Sequence, residues 1–314
     1  MLDKNGKRVR EHKYHAEGKA LEGNLLRPHL ETIEPQAHAR IRTLVGPTEE
    51  PSRHYESQHA EPFSIEGIVS FGAAHTQAAG HEEPEEKDKG KTAAFKTLST
   101  AAVEDFNLLN VITCDRVVAQ VSTDHPRYEG EGEIPKATFL GAQFHNLRIG
   151  GFPVEVELDL DLLNPKEKSH EDPYDTDKSF LDWMTERLAF FRKMRKEANL
   201  EWEEPDPKEI AGYYKRPKDK PDKEDAVTTY YSLVTGIKGK FPGTSRGNVL
   251  DIPHFGKVLL GVVRVVHSDY EGETPRTTLI ELTMIDARMG CLATGDVSCA
   301  VAKTNGGSGA PGTS

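Results

Sequence analysis

Residues 154–162 read VEVELDLDL. Apolar side chains at Val154, Val156, Leu158, Leu160 and Leu162 alternate with Glu155, Glu157, Asp159 and Asp161. A two-residue period sends the two kinds of side chain to opposite faces of a pleated strand, whereas a helix needs a period near 3.6. The stretch is therefore predicted to be a half-buried strand. Shorter signals of the same kind lie at 65–71, 111–121, 138–149, 228–235, 258–266, 277–285 and 297–302, each bounded by Gly, Pro, Asn or Asp. The fold class that follows is mainly β, with a β-sandwich as the first architecture and a β-solenoid as the alternative. A faint internal echo, His15-Ala16-Glu17 with Glu22-Gly23 against His59-Ala60-Glu61 with Glu66-Gly67, is what keeps the solenoid in view.

One segment departs from this rhythm. From 177 to 200, Phe180, Met184, Leu188, Phe191 and Met194 recur at helical spacing, with Leu181 and Trp183 widening the stripe. A long helix is predicted there. Charge-dense, proline-bearing tracts flank it at 164–178 and 214–226, and two more lie at 46–53 and 81–91; all four read as loops. The domain reading is a single β scaffold made of 1–164 and 225–304, a helical insertion at 165–224, and a flexible tail at 305–314 whose glycines resemble a linker.

Composition bounds the function. In 314 residues, 40 Lys+Arg stand against 51 Asp+Glu, a net charge of −11. Such a chain repels a phosphate backbone, so nucleic acid is not an expected partner. The longest apolar stretch, 258–266, contains Gly261 and Arg264 and falls short of the ~20 residues that cross a bilayer. No transmembrane segment is expected. The opening MLDKNGKRVREHKYHAEGK carries no apolar run of the kind a secretory signal needs.

Candidate chemistry is sparse. Gly243-Thr244-Ser245-Arg246-Gly247 matches G-x-S-x-G, and Asp251, His254 and His267 follow it. A nucleophile elbow requires a strand before the serine and a helix after it, however, while Pro242 and Pro253 bracket the motif, so a loop is the expectation. The carboxylates of 155–161 would share one strand face and could meet a cation, and Asp172, Asp175 and Asp177 resemble a calcium loop without its invariant glycine. Eight of the 13 histidines fall in the first 81 residues, with no H-E-x-x-H among them. Of the three cysteines, Cys291 and Cys299 would close a short loop as a disulfide in an oxidising compartment and be buried thiols in a reducing one. No catalytic, cofactor-binding or metal-ligating residue is assigned.

Two stretches, NLLNVITCDRVVAQVST at 107–123 and ATFLGAQFHNLRIGGFPVEVEL at 137–158, resemble the core of the choice-of-anchor P family, and 258–291 resembles that module's closing strands. The resemblance covers about a third of the chain. It implies a β-rich module carried by secreted or surface proteins, and an extracellular or cell-surface location. The matching Asn107, Asn146, Gly150 and Gly151 have the character of turn and packing positions. The functional expectation is a non-enzymatic structural, adhesion or assembly protein that presents a β-rich surface to protein or glycan and forms a homo-oligomer. The alternatives are a serine-type or glycan hydrolase and a calcium-stabilised binding module.

Overall fold

The computed structural model describes residues 12–28, 30–45, 53–83, 94–127, 136–163, 178–200, 226–271, 274–290 and 293–305. The first half holds β1 (His12–Arg27), β2 (Glu31–Gln36), β3 (Ala39–Val45), β4 (Arg53–Ala60), β5 (Phe63–Ile65), β6 (Val69–Phe71), β7 (Ala73–Glu83), β8 (Ala94–Leu108) and β9 (Ile112–Pro126). Short strands follow: β10 (Lys136–Thr138), β11 (Gln143–His145), β12 (Arg148–Ile149), β13 (Phe152–Pro153) and β14 (Glu155–Leu158). After helix α1 (Lys178–Glu197) come β15 (Ala226–Ser232), β16 (Val234–Lys238), β17 (Thr244–Arg246), β18 (Val249–Ile252), β19 (Gly256–Glu271), β20 (Thr274–Gly290) and β21 (Thr294–Asn305).

A nine-stranded sheet runs β17-β18-β19-β20-β21-β1-β2, with β15 also on β19 and β3 also on β1. A ten-stranded sheet is centred on β8 and β9; β7 continues it to the edge strand β4, and β10, β11 and β12 share the far side of β9. Among the described residues every pairing is antiparallel and neither of these sheets closes on itself. The sheets stack face to face, β1 over β7 and β8, β21 over β8 and β9. This is a β-sandwich. The antiparallel ladders leave no place for the stacked coils of a solenoid.

One end of the sandwich is thin. Where β1 crosses β7 and β8, the inward positions are Ala16, Gly18, Thr76, Ala78, Ser99 and Ala101. A Cβ on Gly18 would lie 2.6 Å from the Thr100 carbonyl oxygen, so the sheets meet there almost backbone to backbone. Side chains bond across the gap: Ser99 Oγ donates to Glu17 O at 2.6 Å and Thr76 Oγ1 to Ala37 O at 2.5 Å. Toward the other end the core thickens with Leu25, Phe106, Leu108, Ile112 and Phe139, all 1% exposed or less. Burial of each such side chain contributes roughly 1.5–3 kcal/mol.

A kink crosses both sheets. On β1, β21, β20 and β19 the residues Ala20, Ala300, Met284 and Gly261 drop out of the ladder together, with φ of 52° at Ala300 and 57° at Gly261. In the other sheet Asp105, φ 53°, does the same on β8. Inward positions switch parity at this line: β1 buries 12, 14, 16 before it and Leu21, Gly23, Leu25 after it.

Several predicted strands need correction. The strand at 154–162 ends at Leu158, because Asp159 accepts the Asp161 amide at 3.2 Å in a turn; Glu155 and Glu157 are its only strand carboxylates. Segment 65–71 is a hairpin of β5 and β6, 138–149 is broken into three short pieces, and 228–235 divides between β15 and β16. The helix forms as predicted within 177–200, and it joins the main core through Leu188 and Phe191. Lys257 Nζ and Arg246 Nη1 donate to the Ala198 and Glu197 carbonyls, capping the helix C-terminus with cations from the sheet. β21 extends through Asn305; of the loops read at 46–53, 81–91, 164–178 and 214–226, Arg53, 81–83, Lys178 and Ala226 belong to β4, β7, α1 and β15, and the rest lies outside the described residues, as do 306–314 of the tail.

Candidate functional site

The sandwich has two chemically different ends. At one, tight turns converge. The β8–β9 turn carries Leu109 and Asn110 at φ 55° and 53°, and Leu109 N donates to Ile68 O at 2.7 Å, which fixes the β5–β6 hairpin beside it. Gly150 N donates to Val111 O at 2.7 Å and docks the β12–β13 turn against the same point. On the facing sheet, Gly290 N bonds Phe255 O at 2.9 Å, joining the β18–β19 and β20–β21 turns, and Arg27 pairs with Thr294 to add the β1–β2 turn.

Two of these turns, β1–β2 with Leu26 and Leu30 and β12–β13 with Phe152, hold large apolar side chains in solvent. Leu30 is 84% exposed, Leu26 58% and Phe152 52%. Between β5–β6 and β8–β9 lies a shallow cavity of about 150 Å³, floored by Ile65, Ile68 and Leu109 and rimmed by Ser64, Asn107 and Asn110. The rim is held rigid: Asn107 Nδ2 donates to Asn110 Oδ1 at 2.8 Å, and Asn110 N returns a bond to Asn107 Oδ1 at 2.9 Å. Leu109 is the strained member, since a bulky side chain resists a left-handed backbone. Amide groups over apolar side chains can grip hydroxyls and hydrocarbon faces together.

The residues singled out in the sequence fall elsewhere. Ser245 is the middle of β17, an exposed edge strand, opposite Leu250. G-x-S-x-G is thus a strand and hairpin turn: a Cβ at Gly243, φ 139°, would strike the Asp251 carbonyl oxygen, and Gly247, φ 58°, makes the turn under Met194. His254 sits at φ 60° in the β18–β19 turn. The carboxylate row is answered by cations, Glu157 by Lys238 and Asp159 by Arg187 at 3.1 Å. Among the described residues no group of three or more His, Cys, Asp or Glu is placed to hold a metal ion. Asp172, Asp175 and Asp177 lie outside the described residues, and so does Cys291; Cys299 is a free thiol buried in β21. Asn146, Gly150 and Gly151, at φ 53°, 57° and 83°, are turn residues, and Asn107 braces a turn.

The opposite end gathers histidines. His12 and His125, each 1% exposed, pack with ring centroids 4.7 Å apart, between Phe95 and Tyr14, and His54 lies 5.5 Å from Tyr14. Burial first and His125 second push the His12 pKa well below the usual imidazole value. Nearby Glu82 pairs with Arg127 at 2.7 Å, and its own pKa is raised by burial. On the outer face of the nine-stranded sheet, a row of alternating charge crosses five strands: Arg264, Glu281, Lys303, Glu17 and Arg40. Glu17 is held far below the usual carboxylate range, with His15 the largest influence and Lys19, Lys303 and His38 adding to it. Sequence reading missed both clusters, because their members come from strands far apart in the chain and meet only through the pairing and stacking of those strands.

Fold and site together define an antiparallel β-sandwich with a hairpin end that is apolar and rigid. No helix among the described residues is long and apolar enough to cross a membrane. The chain belongs to the family described as Domain of unknown function (DUF8256), whose model matches residues 12–266. No curated protein and no solved structure matches it.

Proposed function

We propose that this chain is a non-enzymatic adhesion or assembly module that presents its hairpin end to a protein or glycan surface and self-associates. The observation that carries the reading is the exposure of Leu26 and Leu30 on the β1–β2 turn and of Phe152 on the β12–β13 turn, at the end that holds the amide-rimmed cavity. Exposed large apolar groups on rigid turns cost solubility, and their ordinary use is contact. The resemblance to the choice-of-anchor P family, whose modules sit on secreted and surface proteins, supports the same reading.

The test compares the native chain with a Leu26→Ser, Leu30→Ser, Phe152→Ser variant on immobilised glycan and protein arrays. The native chain is expected to bind a restricted set of targets, and the variant to lose at least tenfold in affinity with an unchanged melting temperature. Equal binding by both would overturn the reading.

A further inference from the structure

We infer that the self-association proposed above runs through β4, which pairs edge to edge with β4 of a second copy about a two-fold axis at Ser57. β4 pairs with β7 over all eight residues, Arg53–Ala60, without a bulge, and its other edge carries no strand among the described residues. Sheet edges of this kind are normally blunted by shortness, proline, lysine, a bulge or a covering element. Among the described residues most other edges show such devices, and β3, seven regular residues on the outer side of β1, carries two cations, Arg40 and Arg42. β5, β13 and β17 have two or three residues, β2 contains Pro35, and α1 packs on β15. β4, reading RHYESQHA, has no Pro, Gly or Lys, and Arg53 and Glu56 cancel in a chain of net charge −11. It is a neutral edge on an acidic protein, which lets two copies approach there when charge keeps them apart elsewhere.

The sequence selects the register. An antiparallel two-fold perpendicular to the sheet keeps each side chain on its own face, so a residue must face itself at the axis. Centring on Glu56 would set two carboxylates against each other. Centring on Gln58 shortens the overlap. Centring on Ser57 pairs seven residues: Tyr55 meets the copy's His59, Glu56 meets Gln58, and Ser57 meets Ser57. Tyr55 is 64% exposed and the His59 side chain 57%, so both rings are available for that contact. Aromatic cross-strand pairs and a carboxylate–amide pair are favourable neighbours in an antiparallel ladder.

The experiment measures mass by light scattering and covalent trapping under mild oxidation. The native chain is expected at twice 34.8 kDa at high micromolar concentration. Residues facing each other in an antiparallel pair have Cα atoms about 4.5–5.5 Å apart, inside the range of about 4.4–6.8 Å that a disulfide spans. Ser57→Cys in a Cys291→Ser background should therefore trap a covalent dimer, and Ser57→Lys, which opposes two charges at the axis, should weaken dimerisation at least tenfold while leaving the melting temperature of the monomer unchanged. A native dimer that Ser57→Cys does not trap and Ser57→Lys does not weaken would remove β4 as the interface and leave self-association standing. A strictly monomeric native chain would overturn both.

Discussion

The imidazole of His12 lies face to face on the ring of Phe95, with centroids 4.6 Å apart and planes 2° from parallel. This stack closes the thin end of the sandwich. It is also an acid-sensitive joint, because the ring is shut away from water and neither of its nitrogens has a hydrogen-bond partner among the described residues. Besides Phe95, the rings against it are His125 from β9 and Tyr14 on its own strand, and Tyr14 in turn touches His54 of β4.

A folded pKa below the usual 6.5 means that the unfolded chain binds the proton first. Stability is therefore full above about pH 6.5 and falls as pH drops below it, by at most about 1.4 kcal/mol per pH unit for one proton. Glu17 acts in a lower window: its depressed pKa contributes stability that is lost only as pH falls below its usual 4.5. Urea unfolding of the native chain and His12→Phe between pH 5 and 8 separates the two effects. The variant keeps the stack and is expected to show a shallower decline between pH 6.5 and 5; parallel curves would count against the joint.

Gly80 exists to admit Tyr14. A Cβ there would sit 2.6 Å from a carbon of the Tyr14 ring, which is itself 0% exposed. Gly80→Ala is expected to cost about 1–3 kcal/mol by overpacking. Adding Tyr14→Leu should recover part of that loss, seen as a positive coupling in a double-mutant cycle; strict additivity would show that the two residues do not press on each other.

Helix α1 is tied to the sheet at its C-terminus by Lys257 and Arg246. Replacing either by Met should cost about 0.5–1 kcal/mol, the worth of a cation at a helix C-terminus. Hydrogen exchange should accelerate at Arg195, Lys196 and Glu197 before it does in β8 or β9. Uniform acceleration would mean that the cations brace the sheet rather than the helix.

Ser245 lies in an edge strand opposite Leu250. Ser245→Ala should leave stability within about 0.5 kcal/mol of the native value, as at most exposed sites, and a fluorophosphonate probe should leave Ser245 unlabelled. Stoichiometric labelling at that residue would revive the hydrolase reading.

The sequence discloses the fold where apolar residues alternate over wide spaces, as at 258–266 and 277–285, and hides it where they do not. β1, β7 and β8 build the thin end of the sandwich, where their inward side chains include Gly18, Gly80, Ala16, Ala78, Ser99 and Thr97, small because the sheets approach closely there. An alternation of small and polar residues carries little hydrophobic signal. The kink adds a second concealment. At Ala300 and Gly261 the inward parity slips by one, inside the segments 297–302 and 258–266 that read as unbroken strands. The hairpin end was legible only as turn residues, Asn107, Asn146, Gly150 and Gly151; that their turns meet depends on pairings between strands far apart in the chain. Ser245 misled for the converse reason, since glycines required by a strand crossing and a hairpin spell the same motif as a nucleophile elbow.

The most direct measurement of the central claim is hydroxyl-radical footprinting of the native chain, free and saturated with the tightest target found on the arrays. Leu26, Leu30 and Phe152 should become protected together, while Leu44 and Leu140, exposed away from that end, keep their reactivity. Protection confined to Leu44 or Leu140, with the hairpin residues unchanged, would contradict the account.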